Sequence, residues 1–249
     1  MPRTGKPAVR HVAAVERAVA VLEVLEGGEL GTNEIARRTG LNASTASRQL
    51  ATLAAGGLVD HVPENGRYRL GLRLLELGHA ALAGRDLREL ARPRLQALVD
   101  ATGETATLSV PGESDAITVD FVQSPRSVRS VAQLGRPSVG HATAAGKIVL
   151  AFGHRRPASP LQRFTERTIV DDVALKTELD RVRREGYARA TDEREVGLAA
   201  VAAPVHSRTG ELAAVLGLQG PSERFRGEAL IAAVLVLDEE AKRLSRAVS

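Results

Sequence analysis

The periodicity of apolar residues changes once along this 249-residue chain, and that change limits what it can fold into. From Val12 to about Ala101 apolar residues recur at helical spacing, broken by one short strand-like stretch and by interruptions near Gly84 and Pro93. Past Gly103 the pattern turns to strand-like runs separated by turns: "TATLSVPG", "AITVDFV", "SVRSVAQLG" and "AAVAAPVHSRTGELAAVLGLQG". Helical patterns intervene at 143–153, 172–185 and 226–246. The chain also exceeds the usual single-domain length of ~100 to 200 residues, so two modest domains are expected, the second an α/β sheet domain of the sensor type. The expected division is a disordered start over 1–11, a first domain over 12–71, a linker helix over 72–84 and a second domain over 85–249.

In the first domain "VAAVERAVAVLEVLEGG" reads as an amphipathic helix with Val12, Val15, Ala18, Val19, Leu22 and Leu25 on its inner face, stopped at Gly27 and Gly28. A short helix "TNEIARRTG" follows, capped by Thr32 or Asn33, with Ile35 and Ala36 facing inward. A third helix starts at the N-cap Asn42 and runs to about Ala55. At 100° per residue Ala43, Ala46, Leu50, Leu53 and Ala54 share one side, while Ser44, Thr45, Arg48 and Thr52 lie opposite. Two helices joined by a short Gly-containing turn fit a helix-turn-helix, whose second helix enters the DNA major groove. "LVDHV", Pro63-Glu64-Asn65-Gly66 and "RYRLG" then read as a hairpin, which makes the unit a winged helix. Short Ser and Thr side chains allow close approach, Arg48 can reach a guanine edge or a phosphate, and Arg67 beside the hairpin tip suits the DNA backbone. A polar helix face with no partner but water, or a wing that contacts protein, remains the alternative.

Composition decides less about DNA than placement does. Net charge is +4, only four of the 34 basic residues are lysine, and residues 1–79 hold ten Lys/Arg against eight Asp/Glu. There is no cysteine, which removes disulfides, thiolate nucleophiles and cysteine-ligated zinc. The six histidines (His11, His61, His79, His141, His154 and His206) never fall at the i, i+3 or i, i+4 spacing of a helical metal site. No metal or cofactor is expected. No apolar run approaches the ~18 residues of a membrane span, and no export signal is read at the start, so the cytoplasm is the expected location. No Gly-x-Ser-x-Gly elbow occurs, and the acidic residues of "GESDAITVD" have no partner motif, so catalysis is not expected.

"GHATAAGKI" ends in Gly-Lys ahead of a helix, yet it is not a phosphate-binding loop of the nucleotide type. Gly140 and Gly146 enclose five residues instead of four, and Ile148 stands where a magnesium-ligating Ser or Thr would be needed. Its small side chains would expose backbone N–H groups to a ligand carboxylate at the helix N-terminus. The alternative is a tight strand-to-helix connection with Lys147 exposed.

The order winged helix, linker helix, "GHATAAGKIVLAF" at 140–152, "GYARATDEREVGLAAVAAPV" at 186–205 and "LAAVLGLQGP" at 212–221 resembles the IclR (isocitrate lyase regulator) family of bacterial transcription factors, over nearly the whole chain from Val12. The resemblance implies a homodimer or homotetramer on a partly palindromic double-stranded DNA operator, and a GAF-like C-terminal domain that binds a small organic acid or related metabolite. It makes a repressor the leading expectation and an activator the alternative. The DNA set, read from the helix faces, caps and hairpin, is Thr32, Asn33, Asn42, Ser44, Thr45, Arg48, Thr52 and Arg67, whereas the ligand set is carried over from the family by position. The ligand set is the loop Thr143, Ala144 and Ala145, then Ala190, the wall Leu198 and Ala200, and the far strand Gly217 and Gln219. Two departures stand out. Family members that bind small oxo acids carry an acidic residue where this chain has Ala190, with Asp192 and Glu193 nearby, and two serines where it has Gly217 and Gln219. The expected consequence is more room and a ligand larger or less densely polar than a two- or three-carbon acid; a shifted register of the acidic residue is the alternative.

Overall fold

The computed structural model describes residues 12–83, 87–153, 155–157 and 159–248, with the backbone alone for 79–83. The expected disorder of 1–11, the break at Gly84, and His11, the His79 side chain and His154 lie outside the described residues. Two compact units divide the chain between Gly84 and Arg85.

The first unit contains α1 (Ala13–Val24), α2 (Thr32–Thr39), α3 (Ala43–Ala55), the strands β1 (Val59–Val62) and β2 (Arg67–Leu70), and α4 (Arg73–Ala83). Its core is Val21, Leu25, Leu30, Ile35, Leu50, Leu53 and Val59, with Ala18, Leu22, Leu41, Leu58 and Tyr68 packed around it. The buried face of α1 is therefore rotated from the expected one: Ala18, Val21, Leu22 and Leu25 point inward, while Val12, Val15 and Val19 are exposed. The helix carries two apolar stripes, and α2 and α3 offer a surface to only one of them. In α3 the buried residues are Ala46, Leu50 and Leu53, and Ala43 is exposed at its first turn. The N-cap of α2 is Gly31, with Thr32 and Asn33 already inside the helix, so neither caps it. Asn42 does cap α3, its Oδ1 accepting from the Thr45 N–H at 2.8 Å. β1 and β2 pair antiparallel with Val59 opposite Leu70, and Leu30 bridges to Tyr68 as a third short strand.

The second unit begins with α5 (Leu87–Thr102), followed by β3 (Thr105–Pro111), β4 (Ala116–Val122), the two-residue β5 (Pro137–Ser138), α6 (Ala144–Phe152), α7 (Asp172–Glu185), β6 (Ala188–Thr191), β7 (Leu198–His206), β8 (Leu212–Pro221) and α8 (Gly227–Ala247). The strands form one antiparallel sheet in the order β5-β4-β3-β8-β7-β6. Helices α5 and α8 cover one face and α6 and α7 the other. Pro93 does not interrupt α5; it sits on the exposed side, where the carbonyl one turn back can turn to solvent. The run 127–135 is not a strand but an irregular loop, with Val128, Val131 and Leu134 exposed. It forms no ladder with β4, whose outer edge pairs with β5 only at Ala116 and Ile117.

The Asn42 cap supplies one of the few side-chain acceptors at a helix start in the first unit, so Asn42→Ala is expected to cost about 1 kcal/mol. Urea denaturation followed by circular dichroism measures this, and an unchanged midpoint would show that the cap is replaced by water at no cost.

Candidate functional sites

On the first unit, Ser44, Arg48 and Thr52 form an exposed line along α3, and Ser47 extends it. Thr45 is half-buried and its N–H is spent on Asn42. Thr52 Oγ1 donates to the Arg48 backbone carbonyl at 2.9 Å, and the Arg48 guanidinium is exposed and unpaired among the described residues. Asn33 is exposed and Thr32 half-buried in the first turn of α2. Arg67 Nη1 donates to the Glu29 carbonyl at 3.0 Å, and Asn65 Nδ2 to Glu29 Oε2 at 3.0 Å, so the wing is tied to the segment before α2. Arg69 lies 3.7 Å from Glu29 and 3.8 Å from Asp60. Sequence reasoning alone misses Arg37, an exposed and unpaired cation of α2 among the described residues. Its only signal is an amphipathic helix too short to read firmly.

On the second unit a cavity of about 510 Å³ lies on the α6 face of the sheet. All eight positions carried over as the ligand set line it. The sheet register explains why. Ala190, Ala200 and Gln219 form one cross-strand row, and Ala202, Gly217 and Thr107 form another, so the strands present almost no side-chain bulk under the helix N-terminus. A Cβ on Gly217 would lie 2.7 Å from Thr107 Oγ1. The glycine therefore makes way for the threonine, and the room expected at this position is partly filled by a hydroxyl. Gly146 serves α6 in the same manner, since a Cβ there would meet the Val139 carbonyl oxygen at 2.4 Å. Thr143 caps α6: its Oγ1 accepts from the Gly146 N–H at 3.0 Å and donates to the Val139 carbonyl at 2.9 Å. The N–H groups of Ala144 and Ala145 are left without an intrahelical partner beside the cavity.

Lys147 is fully buried, against the alternative of a simple connection with that side chain exposed. Its Nζ donates to Glu193 Oε1 at 2.7 Å, Glu178 Oε1 at 3.1 Å and the Arg189 carbonyl at 2.9 Å. A four-carbon stem directed inward from an all-apolar helix gives no sequence signal of its own. Arg181 grips Glu178 in a two-pronged contact, both at 2.9 Å. Hydrogen bonds from Arg181 first, and then the Lys147 charge, hold the Glu178 carboxyl down to about 2, against the effect of burial. Burial pushes the Glu193 carboxyl up, against Lys147. Glu193 Oε2 is buried and accepts no hydrogen bond, and Glu193 lines the cavity. Asp192 instead shapes the backbone, its Oδ1 accepting from the Gly197 N–H at 2.7 Å and closing the turn before β7. Thr165 and Thr168 hold this segment by donating to the Asp192 and Glu193 carbonyls, each at 2.6 Å. No cluster of His, Cys, Asp and Glu suited to a metal occurs among the described residues. No helix among them is long and apolar enough to cross a membrane.

A helix-turn-helix with a wing in one unit, and a ligand-sized cavity at a helix N-terminus in the other, define a ligand-responsive DNA-binding regulator. Residues 14–63 match the IclR helix-turn-helix domain and residues 79–246 the IclR C-terminal domain of bacterial transcriptional regulators. The chain belongs to the IclR family of sequence-specific DNA-binding transcriptional regulators. It is 36% identical over 222 residues to the glycerol operon regulatory protein of Streptomyces griseus, with 87% of each chain covered. It is 32% identical over 232 residues to the acetate operon repressor of Salmonella typhimurium, covering 89% of this chain and 85% of that one. Among solved structures, an IclR homologue from Microbacterium hydrocarbonoxydans in complex with 4-hydroxybenzoate aligns with a TM-score of 0.78 at 26% identity, over 95% of this chain and 99% of that one.

The Glu178 shift has a definite sign. Its folded value lies below the ordinary 4.5, so its contribution to stability is complete above about 4.5 and is lost as pH falls from there towards 2. Denaturant titrations across that window are expected to show stability falling with pH, and Glu178→Gln to flatten part of that fall. Identical slopes in the two proteins would remove Glu178 as a cause.

Proposed function

We propose that this chain is a cytoplasmic repressor that works as a dimer or a dimer of dimers on a partly palindromic operator, and that a small organic acid or related metabolite in the second-unit cavity sets its DNA affinity. The observation that carries the reading is the cavity itself: eight positions from three separate stretches of chain converge around the free amides of Ala144 and Ala145. The Microbacterium homologue, which binds an aromatic acid, supports an acidic ligand, and the Salmonella relative supports repression. Oligomerisation is supported by the outward apolar stripe Val12, Val15 and Val19 on α1, and by Leu72, Leu75 and Leu77, exposed at and just before α4. One helix-turn-helix covers little DNA, and two copies would span two half-sites. In this reading Ser44, Thr45 and Arg48 approach base edges or phosphates, Asn42 fixes the start of α3, Thr52 borders the same stripe, Thr32 and Asn33 flank a phosphate at the start of α2, and Arg67 meets the backbone from the wing. Ligand acts by binding one arrangement of the DNA-binding heads more tightly than another.

Fluorescence anisotropy with the DNA upstream of its own gene, at two salt concentrations, tests this. Binding that weakens with salt and gives a protected, partly palindromic site is expected. Arg48→Ala is expected to cost ~1 to 3 kcal/mol and to relax sequence preference if it makes a bidentate base contact. Equal affinity for operator and random DNA, with and without added organic acids, would overturn the proposal.

A further inference from the structure

The cavity's own chemistry narrows the ligand beyond an organic acid, on the premise that the cavity is the effector site. We propose that it takes a hydroxylated aliphatic acid: a carboxylate set against the Ala144 and Ala145 amides and Arg136, on a carbon chain whose hydroxyls exchange hydrogen bonds with Thr107, Thr118 and Glu193. Three observations lead there. Glu193 Oε2 is a buried acceptor that receives no hydrogen bond, and it lines the cavity. While Glu193 is ionised, a ligand carrying acceptors only would leave this oxygen orphaned; an alcohol, donor and acceptor in one group, serves it whether the carboxyl is ionised or protonated. Thr107 and Thr118 are more than nine-tenths buried, line the same cavity, and their hydroxyls have no protein partner among the described residues. A flat apolar ring laid against them would bury two more polar groups unpaired, whereas a polyol serves both as donor and acceptor.

The third observation is what the walls lack. Among the described residues no aromatic side chain lines the cavity; its apolar surface is alanine, valine, leucine and proline. An aromatic acid would find no ring to stack on. At about 510 Å³ the cavity is in the ordinary range for small-molecule sites and larger than a two- or three-carbon acid fills. Arg136 is the cation assigned to the acid: it lines the cavity with no ion pair and no side-chain hydrogen bond among the described residues, whereas Arg129, also in the lining and without an ion pair, already donates to the Arg126 carbonyl at 3.0 Å. Arg194 is instead engaged over the Phe164 ring, 4.0 Å from its centroid. Glu195, also in the lining, adds a second negative group near Glu193, which disfavours placing the carboxylate at that end.

Calorimetry on the full-length protein with D-gluconate, D-glycerate, pyruvate, 4-hydroxybenzoate and sorbitol tests the class. The hydroxy acids are expected to bind, and sorbitol, which lacks the charge, to bind at least tenfold more weakly. Thr118→Val keeps shape while removing one hydroxyl, and is expected to weaken gluconate roughly three- to tenfold. Ala190→Leu fills the cavity and is expected to abolish binding; if that variant does not fold, Thr118→Val carries the test alone. Tighter binding of pyruvate or 4-hydroxybenzoate than of either hydroxy acid, no heat with any of the acids, or gluconate affinity unchanged in Thr118→Val would each overturn the proposal. Anisotropy with the operator separates this from the premise. A non-hydroxylated acid that alters DNA affinity and loses its effect in Ala190→Leu would sink the ligand class and leave the effector site standing. Bound hydroxy acid that leaves DNA affinity unchanged would sink the effector site and, with it, this inference.

Discussion

Lys147 Nζ has three N–H bonds, and the protein supplies three acceptors from three different segments: Glu178 on α7, Glu193 in the turn after β6, and the carbonyl of Arg189 in β6 itself. A buried ammonium left unpaired would cost several kcal/mol, so the surrounding chain has little freedom once α6 is packed. That one group ties the first turn of α6 to β6 and to α7. It thereby sets where the free amides of Ala144 and Ala145 stand relative to Glu193. Because Lys147 occupies only Oε1 of Glu193, the same ion cluster that builds the wall also leaves its second oxygen in need of a donor. In the proposed site, structure and recognition are thus properties of one carboxylate.

The cavity exists because the sheet beneath α6 gives up side-chain volume. Ala190, Ala200, Ala202 and Gly217 sit in adjacent rows, while Leu216, Leu218 and Val201, alternating with them, are buried towards α5 and α8. The sheet is thus fully packed on one face and hollow on part of the other. Thr107 shows how finely the space is divided: the room a Cβ on Gly217 would take is occupied by the hydroxyl of its neighbour on β3, which puts a polar group where an apolar one would stand. The outer wall is the irregular loop 123–136, pinned at Ser130, whose carbonyl accepts from Thr105 Oγ1 at 2.9 Å and Gln123 Nε2 at 2.6 Å. Loop backbone can line a cavity from any direction, whereas a strand would have extended the sheet.

Sequence periodicity carried α2, α3, the hairpin and α6 to α8, because each pairs a clean apolar stripe with a cap or a turn signal, as with Asn42, Asn65-Gly66 and Thr143. It misplaced the inner face of α1, since two apolar stripes on one helix cannot be told apart before the neighbours are known. It also made a strand of 127–135, where alternation occurs but the run forms no ladder with a neighbouring strand. The cavity positions were legible by likeness of motif. What was not legible is long-range: Thr107 and Thr118 are ordinary strand residues until the register brings them under α6, and Lys147 looks like any helical lysine until Glu178 and Glu193, 31 and 46 residues away, are seen beside it.

The charge pattern of the first unit bears on how such a protein holds DNA. Arg38 pairs with Glu34 at 2.6 Å, Arg73 with Glu76 at 2.6 Å, and Arg69 sits between Glu29 and Asp60. Surface pairs of this kind are worth little to stability, but each lowers the positive potential offered to a phosphate. Among the described residues of the elements proposed to contact DNA, what is left facing outward is Arg37, Arg48 and the unused donors of Arg67. Every phosphate neutralised contributes roughly one unit to the salt dependence of binding, so these three side chains account for only a few. In the proposed dimer, further affinity comes from joining copies, with the second head held at high effective concentration near its half-site. Few phosphate contacts per head would then also let a small input regulate binding: misaligning two weak heads by a slight change in their spacing would remove most of the affinity, whereas a single strongly basic head would remain bound without sequence preference.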